Sequence, residues 1–129
     1  MTMLKILHVE DEPDILEITT LALELDPDFE VESAPGGEAA LAKLDQGEWS
    51  PDVILMDVMM PDMDGPTTVS LIRTRPALTE VPVIFITARA TAEDRQRLLD
   101  LGALGVITKP FDPMVLAQNV RALLSRAGA

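Results

Sequence analysis

The sequence predicts an α/β fold, a doubly wound five-stranded parallel sheet with five helices, in one domain over residues 1–129. Three observations carry that expectation. Short apolar runs alternate with longer stretches whose apolar residues recur at helical spacing. Five such pairs in succession imply a parallel sheet with right-handed crossovers. The third and fourth apolar runs, Val53-Ile54-Leu55-Met56 and Val83-Ile84-Phe85-Ile86, are continuous, as in strands buried on both faces.

Leu4, Ile6, Leu7 and Val9 form the first strand, which ends on Glu10, Asp11 and Glu12. Pro13 suits the first turn of a helix, where its missing N–H costs nothing. Ile15, Ile18, Thr19, Ala22 and Leu25 recur at helical spacing and are expected to face inward, until Asp26-Pro27 ends the element. Phe29, Val31 and Ser33 alternate with Glu30 and Glu32, as in a half-exposed strand near a sheet edge. Pro35-Gly36-Gly37 then turns the chain into an Ala/Leu-rich helix that ends near Gly47.

The central strand stops at Asp57, and the turn residues Pro61 and Asp64-Gly65 follow. Gly65-Pro66 opens a third helix with Val69, Leu71 and Ile72 inward, closed by Arg73, Arg75 and Pro76. The fourth strand ends on Thr87-Ala88. Thr91, with Asp94 three residues on, reads as the N-cap of a fourth helix that ends at Gly102. Gly105 to Thr108 is the last strand, and Lys109-Pro110-Phe111 follows it. Asp112-Pro113 starts a fifth helix with Val115, Leu116, Val120, Leu123 and Leu124 inward.

Composition narrows the function classes. The chain has 129 residues and a net charge of −12, with 17 acids against 2 bases in residues 1–64 and 5 acids against 8 bases in residues 65–129. Such a molecule repels nucleic acid overall, and it has no basic stripe with interleaved aromatics. No apolar run approaches the roughly 20 residues of a membrane span. The N-terminus lacks a signal-peptide pattern, and with no cysteine a cytoplasmic location is expected. No output domain is visible in the sequence.

The polar residues that end apolar strands share one edge of a parallel sheet, where ligands bind in such folds. That edge gathers Glu10, Asp11, Asp57, Thr87 and Lys109. Three carboxylates within about 5 Å repel by roughly 3 kcal/mol per pair at an effective dielectric near 20. Lys109 can offset one charge and a hard divalent cation two; Mg²⁺ suits one or two carboxylates plus a phosphoryl group. Asp57 is then a candidate nucleophile toward phosphorus, with Thr87 and Lys109 as partners for the phosphoryl oxygens.

On these residues the chain resembles a response regulator receiver domain over essentially its whole length. VEDEPD is similar to the family's acidic pair, LMDVMMPDMDG to its phosphoacceptor loop, FITA to its hydroxyl strand and TKPF to its lysine-proline motif. The resemblance implies a flavodoxin-like sheet of order 2-1-3-4-5 and a phosphoryl group accepted on Asp57 from a histidine kinase or phosphotransfer protein. It implies Mg²⁺ held by Asp11, Asp57, Glu10 through water and the Met59 backbone carbonyl. It further implies a cis Lys109-Pro110 bond, no enzyme activity beyond taking and losing the phosphoryl group, and a partner on the face from the fourth to the fifth helix. A phosphorylation-dependent dimer is compatible with it. Where the family usually has an aromatic, three residues before the lysine, this chain has Val106. Signalling is therefore expected to run through Thr87 and the loop 88–91 into the fourth helix.

Two other readings stay open: a receiver cut from a longer regulator with a DNA-binding or enzymatic output, and a receiver-like scaffold that is never phosphorylated. His8 is expected to be a packed, hydrogen-bonded side chain rather than a phosphate carrier. Met59, Met60 and Met63 are expected to pack within their loop, and Trp49 to lie at the end of the sheet away from the crevice.

Overall fold

The structure is a computed structural model that describes residues 3–126. Five parallel strands, β1 (Leu4–Val9), β2 (Phe29–Ala34), β3 (Val53–Asp57), β4 (Val83–Thr87) and β5 (Gly105–Thr108), lie in the order β2-β1-β3-β4-β5. Five helices connect or follow them: α1 (Pro13–Glu24), α2 (Gly37–Asp45), α3 (Gly65–Ile72), α4 (Ala92–Asp100) and α5 (Leu116–Arg126). The order and the alternation agree with the expectation from sequence.

Both faces of the sheet are covered, which is why its central strands can be apolar throughout. Leu7 and Val9 of β1, Ile54 and Met56 of β3, and Val83 and Phe85 of β4 pack with Ala40 and Leu44 of α2, Val69 and Ile72 of α3, and Leu98 of α4. Ile6, Val53, Leu55, Ile84, Ile86 and Ile107 pack on the other face with Ala22 and Leu23 of α1 and with Leu116, Ala117 and Val120 of α5. Successive strand residues thus alternate between an α2/α3/α4 layer and an α1/α5 layer. The half-exposed β2 sits at one edge, where Trp49 Nε1 donates to Glu30 Oε2 at 2.6 Å.

Several expected positions differ. In α1 the buried residues are Thr19, Ala22 and Leu23, while Ile18 and Leu25 are exposed. The helix presents an arc centred nearer Leu23 than the spacing of Ile18 and Leu25 suggests. Leu71 is likewise on the outer side of α3, whose inward residues are Thr68, Val69 and Ile72. The regular fifth helix begins at Leu116 rather than at Asp112-Pro113. Asp112 instead holds a turn, accepting from Met114 N–H at 2.9 Å, and this leaves Val115 outside the core. A single 3₁₀ turn, Pro76–Leu78, follows α3 and buries Leu78.

Helix ends follow the sequence closely. Asp64 caps α3 by accepting from Thr67 N–H, and Thr91 caps α4 by accepting from Asp94 N–H. Gly47 and Gly102 have positive φ just past the ends of α2 and α4, the conformation that favours glycine there. The Lys109-Pro110 bond is cis, as expected.

Candidate functional site

Strand alternation sorts the polar residues at the carboxyl edge. Glu10 continues the Ile6-His8 row, Asp57 the Val53-Leu55 row, and Lys109 lies two past Ile107, all on the α1/α5 side. Thr87 continues the Val83-Phe85 row on the opposite side. The result is a cluster rather than a ring. Lys109 Nζ donates to Glu10 Oε1 at 2.8 Å and to Asp57 Oδ1 at 3.1 Å. Thr87 makes no hydrogen bond to these groups, and its hydroxyl accepts from Arg89 N–H at 3.0 Å.

Glu10, Asp11 and Asp57 each offer a carboxylate oxygen within 4.8 Å of the others. Glu10 and Asp57 are buried and Asp11 is half-exposed. Oxygen donors so grouped, with one position open toward solvent through Asp11, fit a hard divalent cation.

The electrostatics separate the two buried acids. Burial, and next the nearby Glu10 charge, push the Asp57 carboxyl up to about 6, against the pull of Lys109. For Glu10, burial also pushes upward, but Lys109 and the Glu12 N–H, which donates at 3.2 Å, outweigh it and the pKa is lowered. Burial disfavours the Lys109 ammonium too, yet its hydrogen bonds to both acids hold its pKa above the ordinary value. One acid therefore holds the lysine, and the other keeps a basic, partly compensated carboxylate.

The loop that carries Asp57 into α3 is fixed at two points. At its base, Gly65 N–H donates to the Val58 carbonyl at 2.8 Å, and a Cβ on Gly65 would lie 2.4 Å from the Asp57 carbonyl oxygen. At its tip, Asp62 accepts from Glu38 N–H at 3.0 Å, anchoring the loop on the first turn of α2. Asp62 lies outside the strand-end pattern that marks the other site residues. Its signal was the Gly36-Gly37 pair, whose lack of side chains lets the loop approach: Cβ atoms there would meet Asp62 and Thr68.

Two side chains, His8 and Met59, differ from expectation. His8 is fully buried in the α1/α5 layer, but neither ring nitrogen has a hydrogen-bond partner, and nor does the buried Thr19 hydroxyl. β1 spends its backbone groups on β2 and β3, and the cross-strand neighbours of His8 are Ser33 of β2 and Leu55 of β3, neither of which gives its ring a hydrogen bond. Burial pushes the His8 imidazolium pKa down to about 4. Met60 is buried as expected, whereas Met59 is 67% exposed at the mouth of the site. Arg95 and Arg97 do not share a direction: Arg95 Nη2 donates to Thr108 Oγ1 of β5 at 2.8 Å, while Arg97 lines a groove facing α3.

Sheet order and crevice together define a doubly wound α/β protein with an acid-lysine pocket at its strand ends. Residues 6–121 match the response regulator receiver domain, and the chain belongs to that family. It is 43% identical over 123 residues to the transcriptional regulatory protein CseB of Streptomyces coelicolor, covering 95% of this chain and 50% of that one. It is 36% identical over 122 residues to the phosphate regulon transcriptional regulatory protein PhoB of Escherichia coli, covering 95% and 52%. The chain thus spans about half the length of these relatives. The chemotaxis response regulator CheY4 of Vibrio cholerae superposes with a TM-score of 0.84 at 34% identity, over 95% of this chain and 99% of that one.

Proposed function

We propose that residues 1–129 form one receiver domain that accepts a phosphoryl group on Asp57 from a histidine kinase or histidine phosphotransfer protein, with Mg²⁺ as cofactor. The observation that carries this reading is the Asp57 carboxylate. It is buried at a strand end, pushed up to about 6, and bonded to Lys109 beside two further acids. A carboxylate with that pKa is ionised at neutral pH and more nucleophilic than an ordinary aspartate.

An Asp57 oxygen attacks phosphorus as the bond from phosphorus to the donor imidazole nitrogen breaks. The electron pair stays on that nitrogen, which takes a proton from solvent. Lys109, already within hydrogen-bond reach of Asp57, stabilises charge on a phosphoryl oxygen, and Thr87 takes another when its hydroxyl leaves Arg89 N–H. Asp11, Asp57, Glu10 and the Met59 carbonyl are the groups that would hold Mg²⁺, which supplies charge neutralisation of the transferring group. Phosphorylation then alters partner binding, with the face from α4 to α5 and a phosphorylation-dependent dimer as candidate outputs, in the cytoplasm. Coverage of only half the relatives' length favours a second reading, the receiver part of a regulator with a separate output domain; the complete reading frame distinguishes the two.

Acetyl phosphate with Mg²⁺ followed by intact mass spectrometry tests the proposal. One phosphoryl group should add to the wild type and none to Asp57→Ala. No addition to the wild type, or equal addition to the variant, overturns it.

A further inference from the structure

A groove of about 180 Å³ runs between the Asp57 loop and α4, on the side of the sheet opposite the acid-lysine cluster. Val58, Pro66, Leu98 and Leu101 supply apolar surface, and Leu101 is 57% exposed. A second depression of about 190 Å³ continues it along α3, sharing Pro66 and Leu101 and adding Arg73. Cations flank the apolar floor. The Arg89 guanidinium has no hydrogen-bond or ion-pair partner among the described residues, and Arg97 reaches only Asp94, at 3.9 Å. Asp94 also lines the groove, but its carboxylate is engaged by the Thr91 hydroxyl at 2.8 Å.

This arrangement is unusual for the molecule it sits on. Residues 1–64 hold 17 acids against 2 bases, and the cations elsewhere that carry ion pairs, Lys43, Arg75, Lys109 and Arg121, are all spent on the chain's own acids. Arg89 and Arg97 are left facing a concave apolar surface. Charges at such a rim set specificity and encounter rate, while a buried apolar anchor supplies most of the affinity.

We propose that the α3–α4 groove is a docking site for an acidic segment of a partner protein, which inserts a bulky apolar side chain over Leu98 and Leu101 and places carboxylates against Arg89 and Arg97. The surface is distinct from the one between α4 and α5. Thr87 forms part of the groove wall, so an occupant there touches the hydroxyl residue from the side opposite Asp57.

The test uses the whole chain without Mg²⁺ or phosphoryl donor, so its failure leaves the Asp57 reading intact. A short peptide with a Leu-Phe pair between glutamates is titrated while backbone amide resonances are followed. Its controls carry lysines for the glutamates, or alanines for the Leu-Phe pair. The acidic apolar peptide should shift Val58, Thr87, Arg89, Arg97 and Leu101, and Arg97→Glu or Leu101→Ser should each weaken it at least fivefold. Both variants should retain the wild-type amide pattern elsewhere. No shift at millimolar peptide, equal shifts with the lysine peptide, or shifts centred on α1 or α5 would overturn the proposal. So would the same shifts on concentrating the chain alone, which would assign the groove to a second copy.

Discussion

Lys109 donates to Asp57 across the β3–β5 span of the sheet, and no other described side chain gives that carboxylate a cation. Removing it leaves Glu10, Asp11 and Asp57 with like charges and no counter-charge. Lys109→Ala should raise the Asp57 pKa further and cost about 2–3 kcal/mol of stability, below the range for breaking a fully buried pair because the edge is partly open. Urea unfolding with and without Mg²⁺ checks this: millimolar Mg²⁺ should restore more stability to the variant than it adds to the wild type. An equal Mg²⁺ increment in both would show that lysine and cation do not neutralise the same charges.

Gly65 should be the least replaceable residue of the loop. A methyl group there would lie 2.4 Å from the Asp57 carbonyl oxygen, which is backbone and cannot swing aside. Gly65→Ala should cost about 3 kcal/mol or more, or prevent folding, in the range of severe overpacking. The comparison is Gly47→Ala, at φ +72° with open space around it, where the conformational cost is about 1 kcal/mol. Thermal melts of the two variants that agreed within error would contradict the close approach.

Stability against pH tests His8 and Asp57 together. Burial lowers His8 from 6.5 to about 4, so the unfolded chain binds that proton more tightly and stability is lost as pH falls through this window. Burial and Glu10 raise Asp57 to about 6, so its protonation favours the folded state, and stability is lost as pH rises from about 4 through 6. The two slopes oppose each other and largely cancel in the wild type. Asp57→Asn removes one of them, and the variant should lose about 3 kcal/mol relative to wild type between pH 6.5 and 4. His8→Leu should show the opposite trend. Parallel curves for wild type and Asp57→Asn would mean that Asp57 is not shifted in the folded chain.

The fold was legible because both signals that specify it are local. Continuous apolar runs mark strands covered on both faces, and the acids, hydroxyl and lysine that stop them mark one edge. The division of that edge was also present in the sequence, in the parity of each residue along its strand. Asp57 keeps step with Val53 and Leu55, and Thr87 with Val83 and Phe85, so the two approach the crevice from opposite faces. What could not be read was set by packing between elements. The burial of Leu23 rather than Leu25 depends on how α1 lies against Phe29 and α5, and the anchoring of Asp62 depends on where α2 begins. A buried polar residue usually finds a partner, but the His8 ring has none, although Ser33 stands across from it on β2.

Val106 packs half-buried against the α2/α3/α4 layer, so no aromatic ring is available to follow Thr87. The connection that is present runs through Arg95, whose guanidinium reaches Thr108 Oγ1 at 2.8 Å and the Ala90 carbonyl at 3.4 Å. It spans the loop after Thr87, the first turn of α4 and the end of β5. A phosphoryl mimic on Asp57 should draw the Thr87 hydroxyl from Arg89 N–H, move the loop 88–91 and loosen the Arg95 contact with Ala90. Beryllofluoride with Mg²⁺ should then change amide exchange across residues 88–101 by about fivefold, the effect of about 1 kcal/mol. Arg95→Ala should raise exchange in α4 by a similar factor before any mimic is added, and reduce the further change on adding it. Unchanged exchange across residues 88–101 with the mimic bound would remove α4 from the signalling route.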